Sequence, residues 1–292
     1  MPAISIRGPG ADLAPTFPGN PFQAACNVEN NSLVFKSNFH ENIPSLPDTA
    51  STPSAIVVSG YHDAVKITGN FIKGTRFLAV DARVSTTPAI SATYTNLSGT
   101  AYPQTTNITG NVICNWIGKG IYAVSDGVKT STGLNISSNS ISGVTSNAIN
   151  VVGCSGSAIT ANTISSVINE AILVQRAGAT NNQKIIIASN IIDGRPDGGV
   201  SGCTYGISMD FAVNCEVISN TIANAATAPY LFASIAGAVV IKDSQNFPRS
   251  GAGGPAGVLV PYFIGEEYFD TTASKWWKSH GLAAANWTQL TN

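Results

Sequence analysis

Carboxylate side chains are scarce in this sequence, and a few of them stand beside short apolar segments typical of β-strands. Asp and Glu together number 16 among 292 residues. Hydrolysis of a glycosidic bond uses two carboxyl groups, about 5 to 5.5 Å apart in retaining enzymes and about 6.5 to 9.5 Å apart in inverting ones. The candidate catalytic residues for this chemistry are Asp126, Glu170, Asp193, Asp197 and Asp210. They become a catalytic pair only where the fold brings two of them to one surface.

Cationic and phenolic side chains near these carboxylates suggest a second reaction. Elimination at a uronic acid needs a base and a neutralising cation, for which Arg176, Arg195, Tyr205 and His62 are candidates. Together with Tyr122, the two arginines and Tyr205 form the predicted substrate-binding set. The residues alone leave hydrolysis, elimination and binding without cleavage open.

Other catalytic motifs are missing from the sequence. Its five cysteines are an odd set without C-x-x-C spacing, which predicts buried free thiols and neither a disulfide framework nor a zinc site. There is no G-x-S-x-G elbow, and the glycine-rich stretch 251–254 lacks the lysine of a phosphate loop. We therefore expect no metal and no cofactor.

Composition narrows the range of partners. Charged residues make up 11% of the chain and the net charge is −1, so no basic patch for nucleic acid is expected. Apolar runs are far shorter than the roughly 20 residues of a spanning helix, so no membrane insertion is expected. A surface of neutral hydrogen-bonding groups suits sugar-like ligands. The proline-rich start lacks the apolar core of a secretory signal, which favours production in the cytoplasm.

An internal repeat must position these residues. The motif apolar-x-x-Asn-x-apolar recurs along the chain. Its copies contain Asn70, Asn111, Asn139, Asn162, Asn190 and Asn220, with a degenerate first copy around Asn38. A second motif, a small residue followed by Ile, recurs at Ile121, Ile149, Ile172 and Ile207.

The repeat predicts an all-β fold, a right-handed parallel β-helix of about seven coils. Isoleucines would stack inside in aliphatic columns. Each Asn would sit at the bend between strands, where it tolerates left-handed backbone angles and its amide can bond the Asn of adjacent coils. On this register Glu170 and Asp210 lie five residues apart on neighbouring strands, which at about 3.3 Å per residue exceeds 15 Å. Asp193 and Asp197 fall in an inserted turn, where aspartate beside glycine also serves simply to form the turn.

Composition changes along the chain indicate four parts. Residues 1–30 are predicted as an N-terminal extended segment, 31–245 as the β-helix and 246–261 as a Gly/Pro-rich linker. Residues 262–292 hold most of the tryptophans and predict an aromatic-rich β segment, a small hairpin.

The C-terminal part resembles the ends of many bacteriophage tail spike and tail fibre proteins. The match is carried by Gly265, Tyr268, Phe269, Asp270, Thr271, Thr272, Lys275, Trp276, Trp277 and Trp287. Together with the repeat, it makes the chain similar to a pectate-lyase-like phage tail spike.

This resemblance implies a homotrimer in the virion tail, attached to other phage tail proteins, that binds and often depolymerises a polysaccharide of the host cell surface. Two alternatives stay open. One is a non-enzymatic receptor-binding or structural tail fibre module. The other is a cellular β-helix polysaccharide lyase or epimerase, which the absent secretory signal disfavours.

Overall fold

The computed structural model describes residues 3–7, 25–35, 54–60, 64–74, 87–94, 105–125, 131–177, 182–195, 202–233, 239–242, 249–261, 265–281 and 283–290. These ranges are all-β, and no helix long and apolar enough to cross a membrane occurs in them. Asp126, Asp197, Asn38 and His62 lie outside the described residues.

The strands up to residue 242 are short and closely spaced. In chain order they are β1 Ile4–Arg7, β2 Ala25–Glu29, β3 Ser32–Val34, β4 Ile56–Gly60, β5 Ala64–Thr68, β6 Phe71–Lys73, β7 Ile90–Tyr94, β8 Thr105–Thr109, β9 Val112–Cys114, β10 Ile121–Ser125, β11 Ser131–Thr132, β12 Leu134–Ser137, β13 Ser140–Val144, β14 Ile149–Val152, β15 Cys154–Ser155, β16 Ala158–Thr160, β17 Thr163–Val167, β18 Ile172–Gln175, β19 Asn182–Gln183, β20 Ile186–Ala188, β21 Ile191–Asp193, β22 Tyr205–Asp210, β23 Ala212–Val213, β24 Cys215–Ile218, β25 Thr221–Ala223, β26 Ala228–Ala233 and β27 Val239–Lys242. The C-terminal strands are β28 Arg249–Gly251, β29 Glu267–Asp270, β30 Lys275–Ser279 and β31 Trp287–Gln289.

Three long parallel sheets are built from strands that recur along the chain. Sheet A has the order β1-β4-β7-β10-β14-β18-β22-β26, sheet B the order β2-β5-β8-β12-β16-β20-β24-β27, and sheet C the order β3-β6-β9-β13-β17-β21-β25. A small sheet, β11-β15-β19-β23, follows sheet A in chain order. The chain passes through A, B and C in turn and returns to A, as a parallel β-helix does.

Aliphatic columns fill the space between the sheets. In sheet B, Ile67, Ile108 and Ile136 stand directly opposite one another on successive strands and are fully buried. Sheet C repeats this with Ile113 and Ile141. Full burial of one such side chain contributes about 1.5 to 3 kcal/mol. The predicted inward columns are confirmed, because the apolar spacing of the repeat follows the two-residue period of a strand.

The asparagines of the repeat form a continuous ladder between sheets B and C. Each side-chain Nδ2 donates to the Oδ1 of the next Asn at 2.8 to 3.0 Å. The same Oδ1 also accepts the backbone N–H of the preceding Asn at 3.0 to 3.1 Å. Six of these side chains also donate to a carbonyl of the neighbouring coil, so buried amides are satisfied on several sides. The ladder prediction is confirmed.

Two details of the repeat differ from the prediction. The left-handed conformation belongs to the residue before each Asn, with φ between 54° and 67° at Gly69, Gly110, Ser138, Ala161, Ser189 and Ser219. Glycine at two of these positions avoids the Cβ clash of positive φ, whereas the serines and the alanine adopt this conformation with a Cβ present. The first copy is also misplaced in the sequence interpretation: Val28 and Leu33 pair with Ile67 and Ile72, and Asn31 joins the ladder through Asn70.

Strand pairing therefore starts early in the chain. β1 pairs with β4 and β2 with β5, so residues before position 31 already belong to sheets A and B. The cysteines are free, and four of them, Cys26, Cys154, Cys203 and Cys215, are buried while Cys114 is half-buried. Free thiols were predicted, and four of the five are buried as expected.

The C-terminal segment forms its own four-stranded sheet. β29, β30 and β31 pair antiparallel in sequence order, and β28 adds in parallel to β29. β28 comes from the stretch interpreted as linker. Tyr268 packs edge-on against Trp287, whose Nε1 donates to the Leu259 carbonyl at 2.7 Å. The aromatic residues of the C-terminal motif thus hold this sheet together.

Polar residues of the same segment also form contacts within the C-terminal sheet. Oδ1 of Asp270 accepts the backbone N–H groups of Gly253, Thr272 and Ala273 at 2.9 to 3.1 Å. The Ala273 bond is the largest of several effects that lower the pKa of this carboxyl. Glu266, fully buried, forms an ion pair with Arg249, which also donates to the Val260 carbonyl at 3.0 Å. The Asp270 bonds fix the turn that follows β29, and the Glu266 ion pair fixes the residue that precedes β29.

Candidate functional site

The outer face of sheet A carries several of the candidate site residues. Tyr122, Asn150, Leu173 and Ser208 stand opposite one another on β10, β14, β18 and β22. They are offset by one from the buried isoleucines and so face away from the aliphatic columns. Tyr122 and Leu173 are half-buried there, whereas Asn150 and Ser208 are buried. We call this set, with the corner residues Lys119, Asn147, Glu170 and Tyr205 and with Asp210, the sheet A face. Adjacent members are about 4.8 Å apart along the axis.

The corner before the strands holds an oriented carboxylate. Nδ2 of Asn147 donates to Oε2 of Glu170 at 2.8 Å and to the Glu170 carbonyl at 3.3 Å. Asn147 is buried and Glu170 half-buried. The amide fixes one carboxylate oxygen, and no other hydrogen bond to this carboxylate is found among the described residues.

Tyr122 forms an aromatic surface on the same face. Nζ of Lys119 lies 4.2 Å from the centre of the Tyr122 ring, a cation–π distance. Burial raises the pKa of the Tyr122 phenol and lowers the pKa of the Lys119 ammonium. At neutral pH the phenol keeps its proton and offers both a donor and an acceptor.

Asn150, in the middle of the face, carries an unpaired polar atom. The residue is 2% exposed, and its Oδ1 has no hydrogen-bond partner in the described part of the chain. A buried acceptor without a partner costs about 1 to 3 kcal/mol, and such exceptions in native structures call for an explanation.

Asp210 stands at the far end of the face. It is half-buried at the end of β22 and pairs in register with Ala233. The next residue, Phe211, has φ of 52°, which is strained for a bulky side chain. The guanidinium carbon of Arg176 lies 3.4 Å from the centre of the Phe211 ring. Arg176 is exposed, and this ring contact holds its guanidinium beside the end of β22.

Glu170 and Asp210 do not form a close pair. Glu170 precedes Ile172 by two residues, Ile172 pairs with Ile207, and Asp210 follows Ile207 by three. Their backbone positions are therefore about 15 Å or more apart along the strand direction, beyond the span of either glycosidase geometry.

Asp193 and Arg195 form a closed turn at the end of sheet C. The Arg195 Nε and Nη2 donate to Oδ2 of Asp193 at 2.8 and 2.6 Å, and Nδ2 of Asn224 donates to Oδ1 at 2.9 Å. The backbone N–H of Arg195 also donates to Oδ1 at 3.1 Å. Side-chain hydrogen bonding from Arg195, followed by the bonds from Asn224 and the Arg195 backbone, lowers the pKa of Asp193 to about 2. A carboxyl ionised so firmly cannot act as a general acid at neutral pH.

Replacing Arg195 with glutamine should raise the pKa of Asp193 from about 2 toward the ordinary 3.8. Because the folded-state pKa is depressed, this contact stabilises the fold above pH about 4 and the stabilisation is lost as pH falls toward 2. A carbon-13 NMR titration of the Asp193 carboxyl checks this directly. An unchanged midpoint in the variant would contradict the ion pair.

The Cys203 thiol lies near both Asp193 and Glu170. Burial raises the pKa of its thiol to about 11, with smaller contributions from the charges of Asp193 and Glu170. Both carboxylates therefore lie within electrostatic range of this one thiol. The thiol stays protonated and does not act as a nucleophile.

A separate cavity of about 410 Å³ lies in the C-terminal segment. Its lining includes Arg249, Gly251, Val258 and Tyr268. Arg249 is already paired with Glu266, and none of the predicted site residues lines the cavity.

The structure thus brings Tyr122, Glu170, Tyr205 and Asp210 to sheet A and separates Asp193 with Arg195 at the end of sheet C. Sequence reasoning did not find Asn224 or Phe211. Asn224 follows the residue paired with Asp193 and lies 31 positions away from it, so no local pattern links them. The register of the second motif does align Asn147 with Glu170, because each lies two residues before a paired isoleucine, Ile149 and Ile172.

The chain was compared with protein-family models, curated proteins and solved structures, and nothing matched in any of the three.

Proposed function

We propose that the chain binds a bacterial surface polysaccharide along the sheet A face. The observation that carries the proposal is the half-buried carboxylate of Glu170, oriented by Asn147, on the same face as the half-buried Tyr122 and Tyr205. Sugar rings offer apolar faces and many hydroxyls, which suit aromatic rings, amides and hydroxyls placed at regular intervals. A linear glycan would run along the axis across successive strands.

The charge pattern supports a glycan over other polymers. Only 11% of residues are charged and the net charge is −1. Nucleic-acid binding depends on neutralising many phosphates, for which this face offers Lys119 and Arg176, each already engaged with an aromatic ring. The groups left on this face for a ligand are mostly neutral hydrogen-bonding groups.

The biological setting is part of the same proposal. We infer a right-handed helix of about seven coils, closed by the aromatic C-terminal segment, in a phage tail spike. Such a spike is a homotrimer carried on the virion with other tail proteins. The support is the pectate-lyase-like repeat together with the C-terminal residues Tyr268, Asp270, Trp277 and Trp287.

Cleavage of the bound glycan is a second candidate function, favoured by the oriented carboxylate of Glu170. Glu170 would act with a group other than Asp210, since those two are too far apart. Elimination needs a cation to neutralise the uronate and a base to remove a proton at one sugar. By the same register Arg176 and Tyr205 lie six residues apart along the strand direction, about 20 Å, so they would not act together there. Shortened oligosaccharides would establish cleavage, and ultraviolet-absorbing unsaturated products would identify elimination.

Replacing Tyr122 with alanine should weaken binding of purified host capsular polysaccharide or lipopolysaccharide by up to about tenfold, since an aromatic contact contributes about 0.5 to 1.5 kcal/mol. Titration calorimetry on the wild type and the variant measures this.

Glutamates provide a matched control. Glu170→Gln should change binding or cleavage, whereas Glu216→Gln, half-buried on sheet B, should leave both at the wild-type level. Equal effects of the two substitutions, or full affinity in Tyr122→Ala, would remove the sheet A face as the binding surface.

A further inference from the structure

The cavity of about 410 Å³ in the C-terminal segment lies beside β28 and the stretch of chain that follows it. Its walls come from β28, from the stretch 252–259 and from Tyr268 on β29. Small-molecule sites in proteins occupy about 300 to 1,000 Å³, so this cavity has the size of a site for one small molecule. None of its lining residues belongs to sheet A, where we propose that the polysaccharide binds.

The phenol hydroxyl of Tyr268 is a buried polar group at this cavity without a hydrogen-bond partner. Tyr268 lines the cavity, is 4% exposed, and packs its ring edge-on against Trp287. No hydrogen bond to its hydroxyl occurs within the described ranges. The phenol oxygen lies close to Gly251, another lining residue, where a Cβ atom would come within 2.6 Å of it. Buried hydroxyls normally have partners, so this one is a candidate to bond a ligand in the cavity.

A second unpaired donor lies just behind the cavity wall. The indole Nε1 of Trp277 is buried and has no hydrogen-bond partner among the described residues. Gly254, which lines the cavity, approaches this ring closely: a Cβ atom there would lie 2.7 Å from Cζ2 and 3.2 Å from Cε2, the carbon bonded to Nε1. Two unpaired polar groups at one cavity call for an explanation. The close approach also makes the Trp277 indole a reporter of what happens at this wall.

The walls of the cavity favour a neutral ligand with an apolar face. Arg249 is the charged residue among those that line it, and its guanidinium is paired with the fully buried Glu266 and donates to the Val260 carbonyl. The ion pair cancels this charge within the protein, so the cavity offers no net charge to a ligand. Val258 and Leu259 supply an apolar part of the wall. Apolar wall beside a hydroxyl suits a sugar ring, which combines C–H faces with hydroxyl groups.

We propose that this cavity is a second sugar-binding site, one that holds a single neutral sugar unit. The Tyr268 hydroxyl bonds a hydroxyl of the sugar, and Val258 and Leu259 contact its C–H face. The site goes beyond the proposed function because it lies in the C-terminal sheet and uses none of the residues of the sheet A face.

Indole N–H resonances give a readout at the cavity itself. In protein labelled with nitrogen-15 at tryptophan, the four indole signals come from Trp116 in the β-helix and from Trp276, Trp277 and Trp287 in the C-terminal sheet. The probes are D-glucose, D-galactose, L-rhamnose and N-acetyl-D-glucosamine at millimolar concentrations, the range expected for so small a ligand. At least one of them should shift the Trp277 signal saturably. Trp276 is the internal control, because it points to the opposite face of the sheet and packs there against Phe269.

Two substitutions at the cavity test the contact, and one on sheet A is the control. Tyr268→Phe removes only the hydroxyl and should weaken sugar binding about two- to tenfold, the effect of one hydrogen bond. Gly251→Ala places a methyl group 2.6 Å from the phenol oxygen and should abolish the Trp277 response. Tyr122→Ala, on the sheet A face, should bind the sugar as the wild type does.

Several results would overturn the inference. They are the absence of any sugar-dependent Trp277 shift, equal shifts of Trp276 and Trp277, and full affinity in Tyr268→Phe. A Trp277 shift caused by D-glucuronate or inorganic phosphate, but by none of the neutral sugars, would make the cavity an anion site instead. If Tyr268→Phe loses the wild-type circular dichroism spectrum, Gly251→Ala decides. Polysaccharide binding at sheet A is measured separately with Tyr122→Ala, so either proposal can fail while the other stands.

Discussion

Replacing Asn139 with alanine is expected to lower the free energy of unfolding by about 3 to 5 kcal/mol. The side chain donates to the Ile108 carbonyl at 2.8 Å and to Oδ1 of Asn162 at 3.0 Å. Its own oxygen accepts two N–H groups of Asn111. Alanine would leave the backbone N–H of Asn111 and the Ile108 carbonyl buried without these partners. Each such group costs about 1 to 3 kcal/mol.

The matched control for this substitution is Asn135→Ala. Asn135 belongs to the same coil but points outward, half-buried, with one side-chain bond to Asn107 at 3.2 Å. Its loss should cost less than about 1 kcal/mol because water replaces the bond. Urea unfolding followed by circular dichroism compares the two variants. Similar losses in both would mean that the inner ladder has no special weight.

Replacing Glu266 with glutamine is expected to destabilise the C-terminal sheet by about 3 to 5 kcal/mol. The Glu266 side chain is fully buried and Arg249 is 18% exposed, so the substitution leaves a largely buried guanidinium without its counter-ion. Arg249 also lies over the Trp287 ring at 5.7 Å and bonds the Val260 carbonyl. The strand β28 would therefore lose its main attachment beyond the backbone pairing.

The neighbouring Glu267 offers a control one residue away. It faces Lys278 at 3.7 Å, with both side chains about half exposed. Exposed ion pairs contribute about 0 to 1 kcal/mol, so Glu267→Gln should unfold nearly as the wild type does. Tryptophan fluorescence reports on this region, since Trp276, Trp277 and Trp287 all lie in it. A Glu266→Gln variant as stable as Glu267→Gln would contradict the buried ion pair.

The repeat could be predicted from sequence because its information is local. Each copy places an apolar residue three positions before Asn and another two after it, which specifies one inward residue on each of two strands. The second motif then aligned Ile121, Ile149 and Ile172 in sheet A as the register shows. The first copy failed because Phe35 and Asn38 imitate the spacing, while Asn31 carries the bonds to Asn70.

The candidate site was less predictable because its contacts join residues from different coils. The bond from Asn224 to Asp193 and the stacking of Arg176 on Phe211 depend on how corners of adjacent coils approach each other. Residue types favoured Asp193 as a catalytic carboxylate, yet hydrogen bonds from two residues, Arg195 and Asn224, hold it ionised. The distance between Glu170 and Asp210 followed from register alone. Charge and composition suggest a sugar ligand, but they do not indicate which of the three outer faces would bind it.

The proposed function is tested most directly by a crystal structure of the chain with an oligosaccharide of the host polysaccharide. We expect sugar density along sheet A, with a ring against Tyr122 and hydroxyls within hydrogen-bonding distance of Glu170 and Tyr205. Density confined to sheet B, sheet C or the C-terminal cavity, with sheet A bare, would contradict it.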